Sequence, residues 1–310
     1  MKTIIVSLTM ALALGSPLAG WAEAGSNTCT TTATAAFSAC LFEVMDDYQI
    51  GTAKCKNTAD ADERYDCLRD IRSMPREGRQ ECGEQRVARL DLCADIGQAP
   101  YDPPFLPSMF VNPADIGGSV APNPFLPIVA GTTRIYEGGD ETVTVTVTGD
   151  IKVVSGVPCA VVRDIVEENG EVIEDTVDWF AQDLMGNVWY CGEAVQDFED
   201  GELVSLDGSF KAGIDGAKPG ILMKAAPMIG DVYRQEFDLG NAEDAAEVLS
   251  LTGSAMTPAT SCAGTCLITK DFSPLEPDAF EHKYYAPGIG MILEVKPETG
   301  ERLELVEIIN

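Results

Sequence analysis

The chain has 310 residues and carries 50 acidic against 21 basic side chains, ten cysteines and one histidine. A net charge of −29 repels phosphate backbones and anionic headgroups, which excludes nucleic-acid binding and adsorption to anionic lipid. The imbalance sits in the C-terminal two thirds: residues 27–98 hold 13 acids and 9 bases, whereas residues 99–310 hold 36 acids and 11 bases, a net of 25 negative charges. Solubility alone accounts for such a surface, and binding of cations or of a basic partner is the alternative.

The opening MKTIIVSLTMALALGSPLAGWAEA has one lysine, an apolar run from Ile4 to Leu14, a break at Gly15-Ser16-Pro17, and small residues at Ala22 and Ala24. That layout predicts a secretory signal peptide over residues 1–24, cleaved near Ala24. Its apolar run is too short to span a bilayer, and no later segment stays apolar for about 18 residues, so no membrane span is predicted. Cys29 follows Ser-Asn-Thr and lacks the Leu-small-small setting of a lipoprotein, so a free secreted or periplasmic protein is expected. An even cysteine count in an exported chain favours disulfides.

Residues 25–97 form a cysteine-rich module. Cys29, Cys40, Cys55, Cys67, Cys82 and Cys93 are spaced by 11, 15, 12, 15 and 11, a palindrome. Pairing Cys29 with Cys93, Cys40 with Cys82 and Cys55 with Cys67 makes every pair sum to 122, the arithmetic of an antiparallel hairpin in a single register. At about 100° per residue, steps of 11 and 15 return to within roughly 20° and 60° of the start, so each helical arm carries three cysteines on one face. Phe37, Leu41, Val44 and Tyr48 form an apolar stripe on the first arm, and Tyr65, Leu68, Ile71, Val87 and Leu90 on the second. Pro75 predicts a kink or a split in the second arm. So small a module needs its crosslinks; a multi-cysteine metal store would call for closer pairs.

Eight of the eighteen prolines fall between Gln98 and Gly131. Residues 98–126 read as a stiff connector whose Phe105, Leu106, Met109, Phe110 and Val111 are apolar enough to dock. Over residues 127–310 the pattern turns to period two. TVTVTVTGD (142–150) alternates cleanly, and ten more short segments follow, divided by turns such as Glu168-Asn169-Gly170 and Glu199-Asp200-Gly201. Strands without intervening helices predict an all-antiparallel domain. The fold class is therefore α+β multidomain: a disulfide-stapled antiparallel helical hairpin followed by a duplicated β domain, as a curved sheet or open barrel.

The duplication rests on three echoes in order at an offset near 100: PIVAGTTRIYE with PMIGDVYRQEF, CAVVRD with CLITKD, and VDWFAQDLMGNVWY with HKYYAPGIGMILE. They define units of about 127–212 and 221–310. Setting Phe180-Ala181 against Tyr285-Ala286 puts Val177 opposite His282, so the fold does not require a histidine there. His282 reads as a polar strand residue, or in a functional reading as a metal ligand or pH-sensitive contact. Trp179, Trp189, Tyr190, Tyr284 and Tyr285 read as core aromatics or, together with His282, as candidates for a ligand groove.

NPFLPIVAGTTRIYE, GVPCAVVRD, WFAQDLMGNVWY and HKYYAPGIGMILE resemble segments of secreted bacterial proteins of uncharacterised function. Their β region opens on a Pro-Leu-x-x-Gly-x-x-Trp-x-Tyr strand and contains a Tyr-Tyr-Ala-x-Gly-Val-Gly hairpin. More distantly, the segments are similar to the curved-sheet periplasmic lipoprotein and lipid carriers. The resemblance covers about 124–310 and implies a curved antiparallel sheet or open barrel with an apolar ligand. Ile128 replaces the pattern's leucine and Arg134 its tryptophan, which removes an aromatic from the opening strand. No site residue carries over.

Four cysteines lie in the β region. SCAGTC closes as a small loop between Cys262 and Cys266, or Cys159 pairs with Cys266 and leaves Cys191 with Cys262. A soft-metal site of these four with His282 is a third option. DFEDGE offers Asp197, Glu199, Asp200 and Glu202 for calcium, but it lacks the twelve-residue ligand order of an EF-hand and fits a hairpin turn better. No cofactor is predicted. The leading functional expectation is a secreted, non-enzymatic protein holding an apolar or amphiphilic ligand, a small molecule or lipid, on the concave face of the sheet. One alternative is an envelope structural or interaction protein that uses the hairpin, residues 25–97, to hold a protein partner; another is a metal-binding protein. No motif such as Gly-x-Ser-x-Gly marks an enzyme, and the paired acids Asp178 and Glu281 are the remaining catalytic option.

Overall fold

The computed structural model describes residues 27–310, so the expected signal peptide and its cleavage point lie outside the described residues. The first arm is α1 (Thr28–Lys56); the second is split into α2 (Ala61–Asp70) and α3 (Met74–Ile96). Asp60 starts α2 by accepting hydrogen bonds from the Asp62 and Glu63 amides at 2.9 and 3.0 Å. The split falls where Pro75 takes a place in the first turn of α3, where a missing N–H costs no helical hydrogen bond. The palindromic pairing is the observed one: Cys29–Cys93, Cys40–Cys82 and Cys55–Cys67. The expected apolar stripe needs correcting, since Tyr65 and Val87 are 67% and 57% exposed. The rest of the stripe holds where it meets small residues of the other arm, Val44 against Gly78 and Ile71 against Gly51, with the disulfides and buried Ala33 and Ala36 beside it.

The first set of strands runs β1 (Thr133–Gly138), β2 (Glu141–Val154), β3 (Val157–Glu168), β4 (Glu171–Gln182), β5 (Val188–Ala194), three short pieces β6 (Asp197–Glu199), β7 (Glu202–Ser205) and β8 (Phe210–Lys211), then β9 (Lys218–Met223). The second runs β10 (Val232–Arg234), β11 (Glu236–Phe237), β12 (Ala245–Met256), β13 (Ser261–Phe272), β14 (Phe280–Ala286), β15 (Gly290–Val295) and β16 (Arg302–Ile309). Around the sheet the order is β10-β12-β13-β14-β15-β16-β1-β2-β3-β4-β5-β9-β11. Because β10 and β11 are pieces of one stretch, Val232–Phe237, the two ends of that order meet. β10 pairs with β12 on one side and β11 with β9 on the other, all antiparallel, so the sheet closes into an up-and-down barrel.

The two halves are equivalent in connectivity. β16 returns to pair with β1 as β9 pairs with β11. The expected unit boundary therefore shifts: Lys218–Met223 belongs to the first half, as the counterpart of β16. DFEDGE is the β6–β7 hairpin, its turn made by Asp200 and Gly201, both with positive φ.

Seam closure depends on Gly220. A Cβ there would overlap the backbone carbonyl of Gln235, and a backbone atom cannot rotate away as a side chain can. Gly220→Ala is expected to destabilise by about 2–3 kcal/mol, at the upper end of overpacking penalties, read as a lowered urea midpoint with unchanged far-UV circular dichroism.

The connector is longer and more buried than its expected span of 98–126. Phe105, Met109 and Phe110 pack outside the barrel against Trp189, with the Phe110 and Trp189 rings 5.9 Å apart; Leu106 is exposed. The chain then crosses the rim, where the Val111 amide donates to the Gln182 carbonyl at 3.0 Å, and enters the lumen. Ile116, Phe125, Leu126, Ile128 and Val129 fill one end of it against Ala160, Val188, Met223, Val248, Leu267 and Tyr285. Buried Asn123 ties this plug down: its amide donates to Gly186 O and Met223 O, and its Oδ1 accepts from the Phe125 and Leu126 amides.

Candidate functional site

Residues paired directly across an antiparallel sheet share a face, and faces alternate along each strand. Ala160, Phe180 and Tyr285 pack on the plug, so their alternates point into the lumen too. On β3 and β4 this places Asp164, Glu174 and Asp178 inside, because Val162 pairs with Asp178 and Val166 with Glu174. On β13, β14 and β15 it places Asp271, Glu281, Lys283 and Glu294 inside, as Asp271 pairs with Glu281 and Lys283 with Glu294.

The plug fills one end of the lumen, and the other end is an open cavity of about 520 Å³. Seven carboxylates line it, Glu174, Glu193, Glu236, Asp244, Asp271, Glu276 and Glu281, against the single cation Lys283. Lys283 Nζ lies 3.6 Å from Asp271, 3.5 Å from Glu281 and 3.6 Å from Glu294. Burial alone would lower its pKa, but Asp271, Glu294 and Glu281 outweigh that and raise it, so Lys283 stays charged.

One lysine cannot neutralise so many acids. Burial, with Glu193 nearby, pushes Asp178 up to about 8. Burial likewise raises Glu193 to about 7 against an opposing hydrogen bond from Tyr190, and Glu294 to about 7 against the pull of Lys283. Asp164 is raised well above the ordinary carboxylate range by burial, then by Asp178 and Glu174, and its Oδ1 is buried with no hydrogen-bond partner. Geometry agrees at Tyr190, whose hydroxyl touches both Asp178 Oδ1 and Glu193 Oε2, the latter at 2.9 Å. A phenol has one proton to donate. One of the two carboxyls must carry a proton of its own for both contacts to be hydrogen bonds.

The ligand-groove candidates do not form one groove. Tyr190 and Tyr285 face the lumen, Tyr190 in the acidic end and Tyr285 against the plug. Trp179, Trp189, Tyr284 and His282 lie on the opposite face of their strands, outside the barrel. Trp189 donates its ring N–H to Asp183 at 2.9 Å beneath the connector's phenylalanines. Lys152 Nζ lies 5.1 Å over the Trp179 ring. His282 pairs with Lys270 and Val295 and sits 5.6 Å from the Phe280 ring. Burial and Lys270 lower its pKa.

The last four cysteines form Cys159–Cys191, which crosses β4 from β3 to β5, and the Cys262–Cys266 loop. With all ten cysteines oxidised, the soft-metal set with His282 and the Cys159–Cys266 pairing are both corrected. Sequence reasoning missed Asp164, Glu193, Glu236 and Lys283. Their signal was charged residues at alternating strand positions, which a solvated outer face would show equally well. Asp178 and Glu281 do both face the lumen, Asp178 beside Tyr190 and Glu281 beside Lys283.

Among the described residues no helix is long and apolar enough to cross a membrane, and no three His, Cys, Asp or Glu side chains converge as a metal's ligands do. Set against protein-family models, curated proteins and solved structures, the chain matches none of them.

Proposed function

We propose that this is an exported, non-enzymatic binding protein whose ligand is a small, extended organic cation carrying two or more amines, held in the acidic end of the barrel lumen. The observation that carries this reading is the set of seven carboxylates facing one lysine around an open cavity of about 520 Å³. The apolar part of the concave face, where an apolar ligand was expected, holds the chain's own plug. What stays open is anionic. A net charge of −29 concentrates cations around the molecule and steers them to a low-dielectric mouth. The carboxylates are spread along the lumen wall rather than gathered at a point, which suits several separated ammonium groups better than one metal ion.

Raised carboxyl pKa values belong to the unliganded site. An arriving cation favours the ionised forms, so binding releases protons and strengthens as pH rises from about 6 to 8. Spermidine titrated calorimetrically at pH 7 in two buffers of different ionisation enthalpy is expected to bind with net proton release. Glu193→Gln with Glu236→Gln is expected to weaken it at least tenfold, while Glu167→Gln with Glu168→Gln on the outer hairpin leaves it unchanged. Equal loss in both double variants, or binding without proton release, would mean that spermidine responds only to overall charge.

A further inference from the structure

A second cavity, of about 260 Å³, lies on the other side of the barrel wall, where the base of the hairpin meets β9, β10 and β11. Ile96 and Pro100 line it from the hairpin side, and Ile221, Val232 and Leu239 from the barrel side. Three charged side chains reach this apolar space: Arg89, Arg234 and Glu243. Glu243 is fully buried and already taken, accepting two bonds from Arg89 Nε, one from Arg89 Nη2 and one from the Gly240 amide. That leaves one positive charge in excess.

The excess is Arg234. It is 5% exposed, and its Nε and Nη1 are buried without a hydrogen-bond partner. Its guanidinium lies on two rings, 4.4 Å from the Phe237 centroid and 5.6 Å from that of Tyr101. The rings hold the fork in place but supply no acceptor. Arg89 Nη1 is likewise buried and unpartnered. A guanidinium keeps its charge at all accessible pH, and a buried charge without a counter-ion is costly unless something anionic joins it.

We propose that this cavity binds a small monoanionic amphiphile, a carboxylate on an aliphatic or aromatic body, with the carboxylate against Arg234 and the body among Ile96, Ile221 and Leu239. The volume corresponds to about nine waters at roughly 30 Å³ each, room for a body of eight to ten carbons and too little for a two-chain lipid. The site is separate from the lumen and stands or falls independently of cation binding there.

Trp189 lines the cavity and serves as its reporter. In the purified chain with its five disulfides formed, decanoate is expected to change tryptophan emission saturably and to bind at least tenfold more tightly than decanol. Arg234→Met, which keeps the apolar volume, is expected to lose that preference while still binding decanol; Arg234→Lys is expected to keep part of it. Equal affinity of the native chain for decanoate and decanol would overturn the proposal, as would binding of neither. The comparison in the native chain decides the question even where Arg234→Met does not fold.

Discussion

Replacing Arg89 with alanine is expected to cost about 3–5 kcal/mol, the usual penalty for leaving one member of a buried ion pair without the other. Arg89 is 3% exposed and Glu243 fully buried, and three hydrogen bonds of 2.8–3.1 Å join them. In Arg89→Ala the Glu243 carboxylate keeps only the Gly240 amide at 2.8 Å. The pair is also the main polar tie between hairpin and barrel, with Gln85 Nε2 donating to Leu275 O at 3.0 Å as a lesser one. The hairpin itself should survive because its three disulfides are internal to it. The expected signature is therefore a large drop in the first urea midpoint, unchanged helical circular dichroism, and a larger radius of gyration in solution scattering. The double change Arg89→Met with Glu243→Leu should recover only part of the loss, since Glu243 also acts electrostatically on Arg234, which the double variant leaves as a lone buried cation. A single-variant loss below about 1 kcal/mol would instead be that of a solvated surface pair.

The second large effect is on pH. Asp178 at about 8 and Glu193 and Glu294 at about 7 are raised in the folded chain above the ordinary values near 4 of an unfolded chain. Between these limits the folded state holds protons that the unfolded state has released. Stability from these groups is thus full below about pH 4 and is lost as pH rises through 7 to 8. Counting Asp178 alone, with about three pKa units between pH 5 and pH 8 at about 1.4 kcal/mol each and about 2–4 °C per kcal/mol, Tm in low-salt buffer should fall by roughly 10 °C. Asp178→Asn mimics the protonated acid and should raise Tm at pH 8 while leaving it nearly unchanged at pH 5. Spermidine should restore the native chain at pH 8, because a ligand of the folded state stabilises it by mass action. A Tm that rises steadily from pH 5 to pH 8 would show these carboxyls to be ionised and solvated.

The hairpin was legible because its information is local and periodic. Six cysteines at palindromic intervals admit one antiparallel register, and Pro75 marks the break between α2 and α3. Most strands were legible from alternation. β9 was not, since Pro219 and Gly220 look like chain breakers; in the barrel that glycine is what lets the Gln235 backbone come close enough to close the seam.

Alternation also says which side chains share a face without saying which face is the inside. The sequence by itself determined the staples, the antiparallel strands, the two echoing halves and an excess of acid, all set by spacing along the chain. Closure alone decided the rest. It sent the proline-rich segment into one end of the lumen, turned Lys283 inward with its neighbour His282 outside, and gathered carboxylates from β4, β5, β11, β13 and β14 around one cavity. Such neighbours lie as much as a hundred residues apart, and only the curvature of a closed sheet brings them within reach of one another.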